Sequence, residues 1–441
     1  MKPLGLRRLL KLSAVLMVLR VTGAVLALVL QAALARWFGV GELGIYALTI
    51  AVAGTLSIII GLGYPAITPR FVPAFLEAGE SGLLAGFIRS GRAHLAAMSA
   101  IVWAGALIVF LLPDALISRD IRLALCFGAL AAPLMGLIEL NGALAISFRL
   151  PMLSFLPDLL LKQSLMLLAV TVLAWLMPQP DILPVLAALL AIMLVLSGGQ
   201  MLILSRLGRS HLTAARPASA RPEWRRAALP MTLVVILTSF VGDLDLLFLA
   251  ILLPTEDIAI FSICFRFSMF LSFGVQVVYH LLMPDLSAAY AGGRIGEIGR
   301  KLRWANGLTI AFTAAATGLA MLGGQHALAL FGPEFLPGHA ILVVLMAVQM
   351  LAALFGPNAQ FLNLSGNQMK MIPIFASGLA LLAILNLALV PWFNLFGAAM
   401  AFFLAALFWH GRLAITVYRE CGLHCSVLTL LRQDKPSAAI G

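Results

Sequence analysis

The feature that most constrains this chain is a series of twelve apolar stretches, each long enough to cross a bilayer as a helix. A spanning helix needs about 20 mostly apolar residues. The stretches lie at 12–35, 43–64, 93–113, 122–147, 153–177, 182–205, 227–252, 258–283, 303–323, 338–362, 371–391 and 394–417. Because the connections between them are short, they predict an all-α integral membrane protein with twelve transmembrane helices.

The composition supports this class and excludes others. Of the 441 residues, 62% are hydrophobic and 11% are charged, whereas soluble domains have about 45–50% apolar and about 25% charged residues. Disordered, fibrous and disulfide-stabilised proteins are excluded, because charge is sparse, glycine follows no period and there are only 4 cysteines. The first apolar stretch is longer than the core of a signal peptide, so it is expected to be a retained helix.

The basic residues predict the orientation of the chain. With the N-terminus inside, 23 of the 29 lysines and arginines fall in inside loops, and only Arg36, Arg119 and Arg122 fall outside. The positive-inside rule therefore places both termini in the cytoplasm. It also accounts for the net charge of +11 without a nucleic-acid partner, since these residues would meet anionic headgroups.

The two halves of the sequence resemble each other. Residues 34–46 align without gaps on 249–261, at an offset of 215, and the same offset places Pro69 on Pro284. The repeat predicts two six-helix lobes, 1–205 and 227–417, related by a pseudo-twofold axis around a central cleft. A basic linker, 206–226, would join the lobes, and a cytoplasmic tail would follow at 418–441. This is the architecture of an alternating-access transporter.

Several motifs recur in an order and spacing that resemble one known family. They are Arg36 with Gly39, Gly44 and Tyr46; Gly61-Leu62-Gly63; Phe331-Gly332-Pro333-Glu334-Phe335; Gly356-Pro357-Asn358; and Asn386 with Leu389-Val390-Pro391. Together they are similar to the polysaccharide flippases of the multidrug/oligosaccharidyl-lipid/polysaccharide exporter superfamily, over roughly 5–435. Drug-exporting relatives usually carry an acidic residue or proline in the first span, where this chain has only Arg20.

The resemblance implies a flippase that moves undecaprenyl-diphosphate-linked oligosaccharide across the bacterial inner membrane, for O-antigen or exopolysaccharide synthesis. It implies lipid-linked oligosaccharide and membrane lipids as ligands, and a glycan polymerase and glycosyltransferases as candidate partners. Catalytic residues and cofactors are not expected, because the seven histidines are scattered without metal-ligand spacing. A cation-coupled exporter of small molecules is the alternative, and a non-transporting scaffold of a glycan-assembly complex is the third class.

Charged residues inside the spans are the candidate functional residues, because each costs about 2.5–3.5 kcal/mol to insert without a partner or water. The cations Arg20, Lys162 and Arg266 are expected to bind the diphosphate, for which arginine offers a bidentate fork. Glu139 and Asn358 are further candidate residues for contacting the substrate. The first alternative is structural, with Lys162 neutralised by Asp158 four residues earlier. The second is that Glu139 and Asn141 only satisfy Arg20.

Asp243 and Asp245 are the candidates for ion coupling. They are two residues apart, about 200° around a helix, so both cannot face one neighbour. One is expected to pair with Arg266, which would then be structural rather than ligand-binding. The other would bind Na⁺ or H⁺, and Gly242 favours Asp243 for that role.

Two further patterns have weaker implications. The stretch between Arg70 and Arg92 has the pattern of an amphipathic surface helix that guides lipid, with packing inside the protein as the alternative. Cys421, His424 and Cys425 are residue types that can bind a metal ion. Because these three residues lie within five positions and no second cluster accompanies them, the sequence favours free thiols over a metal site.

Overall fold

The computed structural model describes residues 6–113, 115–177, 181–212, 218, 221–239 and 241–427. Every regular element in these residues is a helix. The first ten are α1 Leu6–Phe38, α2 Val40–Gly61, α3 Tyr64–Ala78, α4 Ser81–Leu111, α5 Arg119–Ser147, α6 Pro151–Leu156, α7 Lys162–Leu176, α8 Ile182–Leu212, α9 Arg221–Ser239 and α10 Val241–Leu249. One π-helical turn, Pro157–Leu161, joins α6 to α7.

Five more α-helices complete the described chain. They are α11 Thr255–Ala291, α12 Ile295–Ala329, α13 His339–Phe355, α14 Asn358–Leu364 and α15 Met371–Cys421. Short 3₁₀ turns precede α13 at Pro333–Gly338 and α15 at Gln368–Lys370. Helix α15 is two helices joined at Asn394, whose φ of 48° and ψ of −132° are not helical.

The predicted all-helical membrane fold is confirmed. By length and composition, ten helices of the described chain can cross a membrane, and the bent pair α9–α10 makes an eleventh. Dividing α15 at Asn394 separates the stretches predicted at 371–391 and 394–417. Each of the twelve apolar stretches in the sequence thus corresponds to a helical segment.

The chain forms two compact units. The first comprises Met1–Ala250 with Pro254–Ala259, and the second comprises Ile251–Leu253 with Ile260–Gly441. The predicted lobe boundary at 206–226 lies partly outside the described residues and stays a prediction. From Arg221 onward, the predicted linker is helical and belongs to α9.

Within the first unit, the two repeated sequence segments meet. A Cβ added at Gly44 would collide with the carbonyl of Thr255, so glycine is required for this approach. An added Cβ at Gly41 would lie 3.2 Å from Glu256 Oε1, and the 215-residue offset makes Gly41 and Glu256 equivalent positions.

The stretch between Arg70 and Arg92 is not a separate surface helix. It forms the end of α3 and the start of α4, with a turn at Gly79, whose φ is 72°. Its apolar residues lie in a buried cluster with Trp224 of α9, here called the aromatic cluster: Tyr64, Phe75, Phe87 and Trp224. The rings of Phe87 and Trp224 meet edge to face at 5.3 Å. The packing alternative is therefore the correct one.

In the second unit, a hydrogen-bonded network occupies the corresponding place. Asn306 of α12 is fully buried and donates from Nδ2 to the carbonyls of Cys425 at 2.8 Å and Ser426 at 3.3 Å. The amide of Val427 donates to the Leu354 carbonyl at 2.7 Å. A Cβ at Gly356 would collide with the Cys425 carbonyl. Residues 423–427, here called the docked segment, are thus held against α12 and α13.

Candidate functional site

The first unit carries an irregular helical turn among its charged intramembrane residues. Pro157 has no N–H with which to continue an α-helical ladder. The chain instead makes the π-helical turn Pro157–Leu161, closed by a bond from the Lys162 amide to the Pro157 carbonyl. Such turns occur frequently at functional sites. Here the turn contains Asp158 and directly precedes Lys162.

Asp158 and Lys162 form the ion pair that their spacing allows. Lys162 Nζ donates to Asp158 Oδ1. The lysine side chain is 10% exposed and the aspartate side chain is 45% exposed. The ion pair therefore stabilises the buried lysine, while the Asp158 carboxylate remains partly accessible to solvent. Binding of substrate by Lys162 stays a prediction.

Glu139 of α5 lies close to this ion pair. It is partly buried, and its Oε1 accepts a 3.1 Å hydrogen bond from the buried Ser57 hydroxyl of α2. Asp158 and Lys162 both lie within electrostatic range of its carboxyl group. The three ionisable side chains Glu139, Asp158 and Lys162 form what we call the charged site. Ser57 was missed in the sequence because 82 residues separate it from Glu139.

Arg20 lies on the side of α1 that packs on the same irregular turn. Its guanidinium carbon lies 5.7 Å from the centre of the Phe155 ring of α6. Gly23, three residues on and so on the same side of the helix, approaches the turn so closely that a Cβ would collide with the Leu159 carbonyl. The structure therefore places Arg20 next to α6 and the π-helical turn, which contains Asp158 and directly precedes Lys162.

Arg20 itself is exposed, and within the described parts of the chain it makes no salt bridge. Glu139 bonds to Ser57, and Asn141 donates to the Ser197 carbonyl at 3.3 Å. The alternative that these two residues serve only to satisfy Arg20 therefore has no support. A cation–π contact uses the face of the guanidinium and leaves its N–H donors available for an anion.

The candidate residues on α10 and α11 belong to different units. Asp243 and Asp245 lie on α10 in the first unit, and Asp245 is 1% exposed while Asp243 is partly buried. Arg266 lies on α11 in the second unit and is partly buried. The predicted pairing of Arg266 with one aspartate, and the ion site at the other, stay predictions.

Asn358 lies in a break between two helices. Helix α13 ends at Phe355 and α14 begins at Asn358, after Gly356 with a φ of 76°. Asn358 is 1% exposed, and its Nδ2 donates to the Phe355 carbonyl at 2.8 Å. This bond satisfies a helix end, while substrate contact by Asn358 stays a prediction.

Cys421 lies at the end of α15, and Cys425 lies in the docked segment. Across the described residues, no three His, Cys, Asp or Glu side chains are grouped so as to hold a metal ion. The His424 ring stacks on Tyr418 at 4.4 Å, and Cys425 is buried. Cys421 and Cys425 form no disulfide with each other, and their interpretation as free thiols rather than metal ligands stays a prediction.

The repeat identifies one pair of buried residues that the search for charged groups missed. Tyr64 and Tyr279 are equivalent at the offset of 215, and both are almost fully buried. The Tyr64 hydroxyl bonds to Ser90 at 2.9 Å, and the Tyr279 hydroxyl bonds to Asn306 and Thr309, each at 3.1 Å. Aligning the two halves over a longer stretch would have found this pair.

Sequence comparison identifies no relatives for this chain. No protein-family model matches it, and no curated protein sequence matches it.

Solved structures, in contrast, match almost the whole chain. An inward-facing multidrug resistance MATE family transporter of the MOP superfamily aligns with a TM-score of 0.72 at 12% identity, covering 91% of this chain and 96% of its own. The lipid II flippase MurJ in an inward closed conformation aligns with a TM-score of 0.70 at 14% identity, covering 92% and 87%. A MOP superfamily transporter from Pyrococcus furiosus with a binding pocket of reversed polarity aligns with a TM-score of 0.62 at 14% identity, covering 92% and 96%. The chain therefore has the fold of MOP superfamily transporters, the multi-pass membrane proteins that include MATE exporters and MurJ.

Proposed function

We propose that this protein is a flippase that moves an undecaprenyl-diphosphate-linked oligosaccharide across the bacterial inner membrane by alternating access. The observation that carries the proposal is Arg20, an exposed guanidinium within the first span whose contact in the described chain is an aromatic face. A cation without a carboxylate partner inside a span suits an anionic headgroup. The likeness in fold to a lipid II flippase supports a lipid-linked substrate.

In this proposal, the chain's own residues bind and release the headgroup while the polyprenyl tail stays in lipid. Arg20 and Arg266 bind diphosphate oxygens through bidentate hydrogen bonds. Lys162 contributes when an incoming phosphate competes with Asp158, and Glu139 and Asn358 contact sugar hydroxyls. The two lobes rock about the bound headgroup, as in other transporters built from repeats. The products serve O-antigen or exopolysaccharide synthesis, with a glycan polymerase and glycosyltransferases as partners.

The test is transport of lipid-linked oligosaccharide by purified protein in liposomes. Arg20→Ala should lower the flipping rate by about tenfold or more, because losing a hydrogen bond to a charged group costs about 1.5–3 kcal/mol. Arg20→Lys should restore part of the rate, since a point charge replaces a fork.

The matched control is Arg412→Ala, which removes an exposed arginine of α15. It should flip at the rate of the original protein. Normal transport by Arg20→Ala, with equal amounts of reconstituted protein, would refute Arg20 as the anchor. Transport of cationic drugs but not of the oligosaccharide would refute the flippase itself.

A cation-coupled exporter of small molecules is the alternative function. It is favoured by the carboxylates Glu139, Asp243 and Asp245 inside spans and by the likeness in fold to MATE transporters. In either function, we propose Asp243 or Asp245 as the ion-coupling residue. Asp243→Asn should leave the yield of folded protein unchanged and abolish the dependence of transport on a pH or sodium gradient. Gradient dependence equal to that of the original protein would exclude Asp243.

We further propose that both termini lie in the cytoplasm, as the 23 inside and three outside basic residues indicate. Single cysteines placed between Arg294 and Arg303 should be labelled only from the cytoplasmic side of the inner membrane. Cysteines placed between Thr255 and Asp257 should be labelled from the opposite side. Reversal at either position would contradict the proposed orientation.

A further inference from the structure

An open groove lies along α4 in the first unit, apart from the charged site. Its volume is about 450 Å³, and it is lined by Ala85, Ile88, Arg89, Arg92 and Ala93. The two arginines are three residues apart and so lie on the same side of the helix. The groove therefore combines two cations with small apolar walls.

The position of the groove along α4 corresponds to the headgroup level of a bilayer. Helix α4 has 31 residues, about 46 Å at 1.5 Å per residue, which exceeds a hydrocarbon core of about 30 Å. The sequence is free of Lys, Arg, Asp and Glu from Ala93 to Pro113. Arg92 is therefore the last charged residue before the apolar part of the span, where arginines extend toward phosphates.

These arginines lack a counter-charge in the part of the chain that the structure describes. Neither forms a salt bridge there, and the Nε atom of Arg92 is buried without a hydrogen-bond partner. Two like charges on neighbouring turns repel each other, and a buried N–H donor is costly to leave unsatisfied. An anion between the two guanidinium groups would remove both penalties.

The second unit has no such pair at the equivalent positions. The offset of 215 places Trp304 at the position of Arg89 and Gly307 at the position of Arg92. On the same helix, Lys301 is neutralised by Asp285 and Glu297, each at 2.9 Å. Helix α12 also carries two arginines three residues apart, Arg300 and Arg303, but Glu297 lies within electrostatic range of Arg300. The difference between the units is therefore that acidic side chains accompany the cations of α12, whereas Arg89 and Arg92 have no salt bridge in the described chain.

We propose that Arg89 and Arg92 bind the phosphate of an anionic glycerophospholipid, with its acyl chains lying against Ile88 and Ala93. The charge pair selects the anionic headgroup, and the apolar walls with the adjoining span select a lipid over a soluble phosphate. The site holds a resident lipid and does not depend on which substrate the protein transports.

The test is native mass spectrometry of the full chain in detergent, titrated with phosphatidylglycerol and, separately, with phosphatidylcholine. The variant is Arg89→Gln with Arg92→Gln, and the control is Arg300→Gln with Arg412→Gln, which removes the same charge from exposed positions. The first variant should lower the association constant for phosphatidylglycerol about 30-fold, since each of the two basic residues contributes about 1 kcal/mol near anionic lipid. The control should change the constant less than about twofold, and binding of phosphatidylcholine should be unchanged in both.

Three results would overturn the proposal. They are an unchanged association constant in the glutamine variant, an equal loss in the control, and displacement of phosphatidylglycerol by excess glycerol phosphate. The last would indicate a site for soluble phosphate. Elution on size-exclusion chromatography identifies misfolded variants. If the double variant misfolds, the exposed Arg89→Gln alone should lower the constant about fivefold, and no change would overturn the proposal.

Discussion

The two units place equivalent tyrosines in different chemical surroundings. Tyr64 lies among the rings of the aromatic cluster, and an added Cβ at Gly91 would lie 3.2 Å from its ring. Tyr279 lies against Asn306, which is the equivalent of Gly91 at the offset of 215. One unit thus depends on non-directional burial of aromatic surface, and the other depends on directional hydrogen bonds to the docked segment.

The helices that carry these tyrosines also differ. In the first unit, Leu62 and Gly63 both have positive φ, 42° and 67°, and they separate α2 from α3. A side chain at Gly63 would collide with the Ala228 carbonyl of α9. In the second unit, Val278 occupies the equivalent position and α11 continues through it. The two repeats therefore differ in sequence at this position, where glycine accompanies the broken helix and valine accompanies the continuous one.

The largest expected effect is the loss of the aromatic cluster. Trp224→Ala should destabilise the protein by about 3–5 kcal/mol, because a large buried side chain leaves a cavity. Trp304→Ala removes a tryptophan that is 65% exposed. This change should alter the free energy of unfolding by less than about 0.5 kcal/mol. Thermal unfolding in the same detergent measures both. Equal effects would mean that the cluster does not hold the first unit together.

A smaller effect is expected from the network of the second unit. Asn306→Ala removes the donor to the docked segment and the acceptor of the Tyr279 hydroxyl, at a cost of about 1–3 kcal/mol. Release of the docked segment should also expose Cys425. Burial raises the pKa of the Cys425 thiol to about 12, so the thiol stays protonated and unreactive at neutral pH while the segment is docked.

After release, the pKa of that thiol should fall toward about 8.5, the value of a free cysteine. Maleimide labelling of Cys425 near pH 8 should therefore be slow in the original protein and fast in Asn306→Ala. A Cys425→Ser variant measures the labelling of the remaining cysteines. Labelling of the original protein at the rate of a free thiol would show that the segment is not docked in solution.

The smallest effects compare the two tyrosines directly. Tyr279→Phe removes a hydroxyl that has two polar partners, and Tyr64→Phe removes one that has a single partner. At about 1 kcal/mol for each hydrogen bond, Tyr279→Phe should be the more destabilising. The order of the two midpoints of thermal unfolding is the measurement. A reversed order would show that the hydroxyls matter less than the ring packing in both units.

The sequence predicts the helical segments well, because an apolar stretch of bilayer length has one stable conformation in lipid. It also predicts the Asp158–Lys162 pair, because an i,i+4 spacing on a helix is a local property. It does not predict the bond between Ser57 and Glu139, which depends on how α2 and α5 pack. Nor does it predict that the residues between Arg70 and Arg92 bury their aromatic side chains, since the partner Trp224 lies far along the chain.

The aromatic cluster of the first unit and the docked segment of the second unit are completed at different times during synthesis of the chain. Trp224, which completes the aromatic cluster, precedes Cys425 by about 200 residues. At about 5–20 residues per second, the ribosome needs about 10–40 s for that interval. The aromatic cluster can therefore form while most of the second unit is still unmade. The buried amide of Asn306, in contrast, must wait for the docked segment, and during that time it needs water or another protein as its hydrogen-bond partner.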